Sequence, residues 1–217
     1  MELLNYYFQI TIPICLLLYI FKGRSRSTTL FLIIGLTTCL FCGEVSGILL
    51  KTIDCSESFF VANITPIVEE LLKAFPILLY IFLFEPDMQN ILEKALSVGI
   101  GFAILENVFT MHYGQTEFAL AFIIIRACSG GLFHGFNTMI VGYGLSFIKK
   151  NRKLFVTGTV TMLSIAITLH SVYNNLIQTK YYYLCLLIAL ALSVSVVLIE
   201  VKNNKGNNKL ITMKGDE

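Results

Sequence analysis

Apolar positions along this chain fall in long unbroken runs and not in the alternation of half-buried strands. The runs lie at roughly 3–21, 29–50, 65–84, 91–111, 118–148, 154–178 and 181–200. Each is long enough, at about 20 residues or more, for an α-helix to cross a hydrocarbon core. The pattern predicts an all-α transmembrane helix bundle of about seven spans. Before the first run stands only Glu2, with no cationic segment, and no small-residue cleavage site follows it. That run is therefore expected to be a retained helix and not a signal peptide. The bundle is expected over residues 1–200, followed by a solvated cytoplasmic tail over 201–217, which is too poor in apolar residues to fold.

Composition agrees with a lipid-facing protein. Of the 217 residues 56% are hydrophobic and 14% charged, whereas soluble domains carry about 25% charged residues. The net charge of +2 makes no case for nucleic-acid binding. Cations do set a direction. Lys22, Arg24, Arg26, Lys94, Lys149, Lys150, Arg152, Lys153 and the lysines of the tail fall on one side of a seven-span path, leaving Lys51 and Lys180 on the other. The positive-inside rule then places the N-terminus outside and the C-terminus in the cytoplasm of a multi-pass protein of the cell membrane. The cysteines are scattered and build no disulfide framework; Cys39 and Cys42, spaced C-x-x-C in the second run, are read as buried small apolar residues. No internal repeat is visible.

Against this background the ionisable residues inside the runs stand out, since each costs at least about 2.5–3.5 kcal/mol at a helix centre and needs a partner or a task. They are Glu44, Glu69, Glu70, Lys73, Glu106, Arg126, His134 and His170, with Asn107 and Asn174 beside them. At about 1.5 Å of rise per residue, Glu69, Glu106, His134 and His170 come out roughly 6–12 Å below the outer face. Four helices thus bring acids and imidazoles to one layer. Lys73 is expected to pair with Glu69 at i,i+4 while Glu70 points elsewhere; His170 and Asn174 share a face at the same spacing. Arg126 is read as an outer anchor or as counter-ion to Glu106 or Glu44, and Glu44 as a structural partner. His112 is expected in a loop and Tyr181, Tyr182 and Tyr183 in an outer aromatic belt. Ser129-Gly130-Gly131 permits close helix approach or a local break.

The chemistry open to such a set is narrow. Asp54, Asp87 and Asp216 all lie outside the runs, which closes an aspartyl mechanism; there is no H-E-x-x-H and no G-x-S-x-G. Glutamate and histidine remain. A buried carboxylate can act as general base toward water while imidazole and amide groups hold the water and the developing oxyanion. Alternatively His134, His170 and a glutamate form a three-ligand zinc set with an open position. The residues by themselves leave both routes open.

Four segments resemble a known family. Glu69-Glu70-Leu71-Leu72-Lys73 is similar to the E-E-x-x-K motif of PrsW-type intramembrane proteases, and Gly101-Phe102-Ala103-Ile104-Leu105-Glu106-Asn107 to their G-F-A-x-x-E-N. Arg126 with His134, and His170 with Asn174, resemble the remaining two. The likeness covers residues 66–174, and the family is related to type II CAAX prenyl endopeptidases and bacteriocin-processing proteases, whose second motif carries His where this chain has Glu106. The resemblance implies an intramembrane endopeptidase acting on a membrane-anchored protein such as an anti-sigma factor, near the outer face. It implies Glu69 as general base and Glu70 as its partner or a ligand. Glu106, His134 and His170 would bind the attacking water or a zinc ion, and Asn174 would donate to the oxyanion. The implied partners are the substrate and the lipid bilayer. The second function class that the same buried groups allow is a proton- or ion-coupled transporter using them as a relay.

Overall fold

The computed structural model describes residues 23–84, 86–113, 120–148 and 152–195. The first expected span, with Cys15, and the tail over 201–217 lie outside the described residues. The described residues form helices and connecting turns and contain no strand. The long helices are α1 (Gly23–Thr52), α2 (Thr65–Phe84), α3 (Met88–Tyr113), α4 (Leu120–Leu145) and α5 (Arg152–Ile177), followed by the shorter apolar α6 (Leu184–Ser195). The expected spans from the second to the sixth each coincide with a helix, and of the seventh, expected at 181–200, the described helical part is Leu184–Ser195. Segments Ser25–Thr52 and Lys153–Ile177 are long and apolar enough by themselves to cross a membrane; in α2 the apolar run is interrupted by Glu69, Glu70 and Lys73.

Beside an apolar core, large apolar side chains are exposed and several charged ones are buried. Leu83 and Phe84 are 72% and 70% exposed, while Glu70, Lys73 and His170 are fully buried. Apolar side chains face outward because lipid is their solvent, and polar ones turn inward because only there can they find partners. Glu44 is exposed and belongs to no such cluster.

Close helix contact is bought with glycine. A Cβ on Gly35 of α1 would strike the Val98 carbonyl, one on Gly101 of α3 the Leu32 carbonyl, and one on Gly99 of α3 the His134 carbonyl. The α1–α3 and α3–α4 pairs therefore approach backbone to backbone, as small residues allow in a medium without a hydrophobic driving force. Helix α2 touches α1, α3, α4 and α5; it keeps one apolar face exposed through Leu71, Phe75 and Phe82 and turns its polar residues Glu69, Glu70 and Lys73 inward. Helix α4 runs unbroken through Ser129-Gly130-Gly131; the close approach is realised at Gly130, which faces the Asn107 side chain.

A one-turn helix (Glu57–Phe59) and a π-helical turn (Phe60–Ile64) lead into α2. The sequence pattern gave no sign of this wider turn. Helix α5 holds it: Asn174 Nδ2 donates to the Val61 carbonyl (3.2 Å) and Ser171 Oγ to Asn63 Oδ1 (2.9 Å). Such π turns recur near functional sites, and this one sets the entry of α2 five residues before Glu69. Helix α3 continues through His112, which the sequence pattern had placed in a loop. Cys39 and Cys42 are buried against Leu36, Phe102 and Leu105 as free thiols, and Cys55 and Cys185 are likewise free.

Candidate active site

The polar turn of α2 meets α3, α4 and α5 at one point. Glu70 Oε1 accepts from Lys73 Nζ at 2.7 Å and lies 2.8 Å from His170 Nδ1. The same Lys73 ammonium is 3.1 Å from His134 Nδ1 and sits over the Phe102 ring, 4.6 Å from its centroid. On the far side of His134, Nε2 lies 2.7 Å from Glu106 Oε2. Arg126 Nη2 donates to the other Glu106 oxygen at 3.1 Å and to Thr110 Oγ1 at 2.9 Å. The two imidazoles stand nearly perpendicular with centroids 4.8 Å apart, and His170 Nε2 faces Glu69 Oε2 at 3.6 Å.

The fold therefore brings Glu69, Glu70, Glu106, His134 and His170 together from four helices. Asn174 is nearby on α5, one turn beyond His170, with its amide directed at Val61. Arg126 is buried and serves as the counter-ion of Glu106. One pairing differs from expectation: Lys73 binds Glu70 at i,i+3 and not Glu69. Lys73 also reaches His134, and Glu70, the carboxylate it binds, in turn holds His170. Glu69 faces His170 and also lies close to His134.

Several supporting residues were not singled out from the sequence. Tyr173 stacks on Phe133, centroids 4.4 Å apart and planes 15° from parallel, and its hydroxyl shares a 2.8 Å hydrogen bond with Ser129 Oγ. Phe133 also packs edge-on against His170. Spacing offered the available hint, since Tyr173 is i+3 from His170 and Thr110 is i+4 from Glu106.

Three observations bear on a metal. Donor atoms of Glu69, His134 and His170 all lie within 4.8 Å of one another. Glu69 Oε2 and His170 Nε2 are buried with no hydrogen-bond partner, and their 3.6 Å separation is close to the roughly 3.4 Å between two ligands of a tetrahedral zinc. Finally, His170 is oriented through Nδ1 by a carboxylate, the outer partner that metal-bound imidazoles commonly have. This donor set fits a divalent cation. It shares His134 and His170 with the set expected from the sequence; the carboxylate grouped with them is Glu69, whereas Glu106 reaches the centre through hydrogen bonds to His134 and Arg126.

Fold and site together define a helical membrane protein with an internal carboxylate–imidazole centre. The family model of the PrsW family intramembrane metalloprotease matches residues 15–199, and the chain belongs to that family of intramembrane proteases. No curated protein and no solved structure matches it significantly.

Proposed function

We propose that this protein hydrolyses a peptide bond of a membrane-anchored protein, such as an anti-sigma factor, near the outer face of the cell membrane, with glutamate and histidine as the working groups. The observation that carries this reading is the facing pair of Glu69 Oε2 and His170 Nε2, both buried and both unpartnered. Burial without a partner costs about 1–3 kcal/mol per polar group, a cost that a bound water or substrate group would relieve.

A water held between these two atoms would lose a proton to Glu69 as its oxygen attacks the scissile carbonyl. The carbonyl oxygen gains the negative charge, and N–H groups of His134 and Asn174 are the donors on the neighbouring helices that would receive it. Collapse of the tetrahedral species breaks the C–N bond, and Glu69 returns the proton to the departing amine. Glu70 holds His170, Lys73 holds Glu70 and His134, and Arg126 holds Glu106, so the centre is fixed before substrate arrives. A divalent cation here would be held by Glu69 and His170, with His134 the third member of the donor group, and would acidify the water and polarise the carbonyl. Orientation with the N-terminus outside places this chemistry below the outer leaflet.

The test is cleavage of a single-span reporter by the purified protein in liposomes. Cleavage lost in Glu69→Gln supports the proposal. Proton flux without cleavage would replace it with the transporter reading.

A further inference from the structure

One intramembrane charge has no part in the site. Glu44 stands on α1 eight residues before Thr52, about 12 Å below that end of the helix, and is exposed. Among the described residues it has neither an ion-pair nor a hydrogen-bond partner; Lys51, the cation in the last turn of α1, lies seven residues on, about 10 Å along the axis. A carboxylate facing lipid is costly and calls for a cation. Beside it the helix surface is bare. Gly43 and Gly47 are exposed, and a Cβ on either would meet nothing within 4 Å, whereas one on Gly35 of the same helix would strike the Val98 carbonyl. At 3.6 residues per turn Gly43, Gly47 and Glu44 share an arc of about 100°. Small residues four apart let a second helix approach as far as the backbone, and the carboxylate stands at the edge of that approach.

We propose that Gly43, Glu44 and Gly47 form the docking face for the membrane-spanning helix of the substrate, a helix that turns small side chains to the two glycines and a lysine or arginine to Glu44. The inference deepens the protease reading and rests on it in calling that helix the substrate. Position supports this occupant. Cys42, next to Gly43, belongs to one apolar cluster with Leu105 of α3 and Leu72 of α2. Leu105 precedes Glu106 and Leu72 follows Glu69 by three residues, so a helix lying on this face is held beside the site and near its depth. Charge argues against the two other occupants. A second copy paired through the same glycines would turn the two Glu44 carboxylates toward each other, and the run at 3–21 contains no lysine or arginine.

The full chain in lipid nanodiscs, with the photoreactive side chain of benzoylphenylalanine at position 48, tests this by crosslinking; Ile48 is 64% exposed and one turn above Glu44. Glu69→Gln is included so that cleavage does not consume the probe. The probe is a synthetic single-span peptide of leucine and alanine carrying one lysine about 12 Å below its outer end; its counterparts carry leucine or glutamate there. The lysine peptide should be captured about tenfold more strongly than the leucine peptide. Glu44→Gln should abolish that preference, and Glu44→Lys should transfer it to the glutamate peptide. Because Glu44 is exposed, both variants should melt as the parent does, and Glu44→Gln decides where Glu44→Lys does not fold. Equal capture of the peptides, no capture at all, a preference that survives Glu44→Gln, or crosslinks confined to a second copy or to the run at 3–21 would overturn the inference. Cleavage is scored separately, on the chain with Glu69 intact. Charge-dependent capture without cleavage keeps the docking face and removes the protease reading, and cleavage without charge-dependent capture does the reverse.

Discussion

Glu69 on α2 and His170 on α5 are separated by 3.6 Å between Oε2 and Nε2, and neither buried atom has a hydrogen-bond partner. They belong to a small set of buried polar atoms without a partner among the described residues, and they are the two that face each other across helices.

Replacing Glu69 by Gln keeps shape and volume but removes the base. Reporter cleavage should fall by about 10²–10⁴-fold, with the amount of protein in the membrane unchanged. Cleavage at the parent rate would remove Glu69 from the mechanism. His134→Ala and His170→Ala should likewise abolish cleavage.

The Glu70–Lys73 pair is fully buried and joined at 2.7 Å. Truncating one partner leaves the other charge stranded, at a cost of about 3–5 kcal/mol. Glu70→Ala should therefore lower the thermal unfolding midpoint in detergent markedly. A Glu70→Gln/Lys73→Met double variant should lose less than the sum of its single changes, and strict additivity would show that the pair is not coupled.

Gly99 touches the His134 carbonyl so closely that an added Cβ has no room. Gly99→Ala should push α3 from α4, costing about 1–3 kcal/mol in stability and disturbing the His134–Glu106 contact, so that activity falls too. Gly47→Ala on α1 meets nothing within 4 Å and serves as the control. Equal melting behaviour of the two variants would refute the packing argument.

Elemental analysis after gentle purification addresses the cation. One zinc per chain, lost in the His134→Ala/His170→Ala variant, is expected if the open donors hold a metal. A metal-free preparation with full activity would leave hydrolysis to Glu69 alone.

Topology is open to labelling from outside intact cells. A cysteine at Lys180 should react with an impermeant reagent and one at Lys153 should not. The opposite pattern would invert the orientation and move the proposed cleavage to the inner face.

By itself the sequence determined the helical membrane architecture, because lipid demands runs of about 20 apolar residues, which survive in the linear pattern. It also singled out Glu69, Glu70, Glu106, His134 and His170, since a charged group inside such a run is conspicuous wherever the helix ends up. The π turn before α2 was not legible, being stabilised by Asn174 and Ser171 from more than a hundred residues away. Nor was the choice of partners. Spacing on one helix offers Lys73 both Glu69 at i,i+4 and Glu70 at i,i+3, and the choice of Glu70 appears only where Glu70 meets His170 and Lys73 meets His134 across the bundle. That choice frees Glu69 to face His170, so the decisive feature of the site arises from contacts between helices, which no single helix encodes.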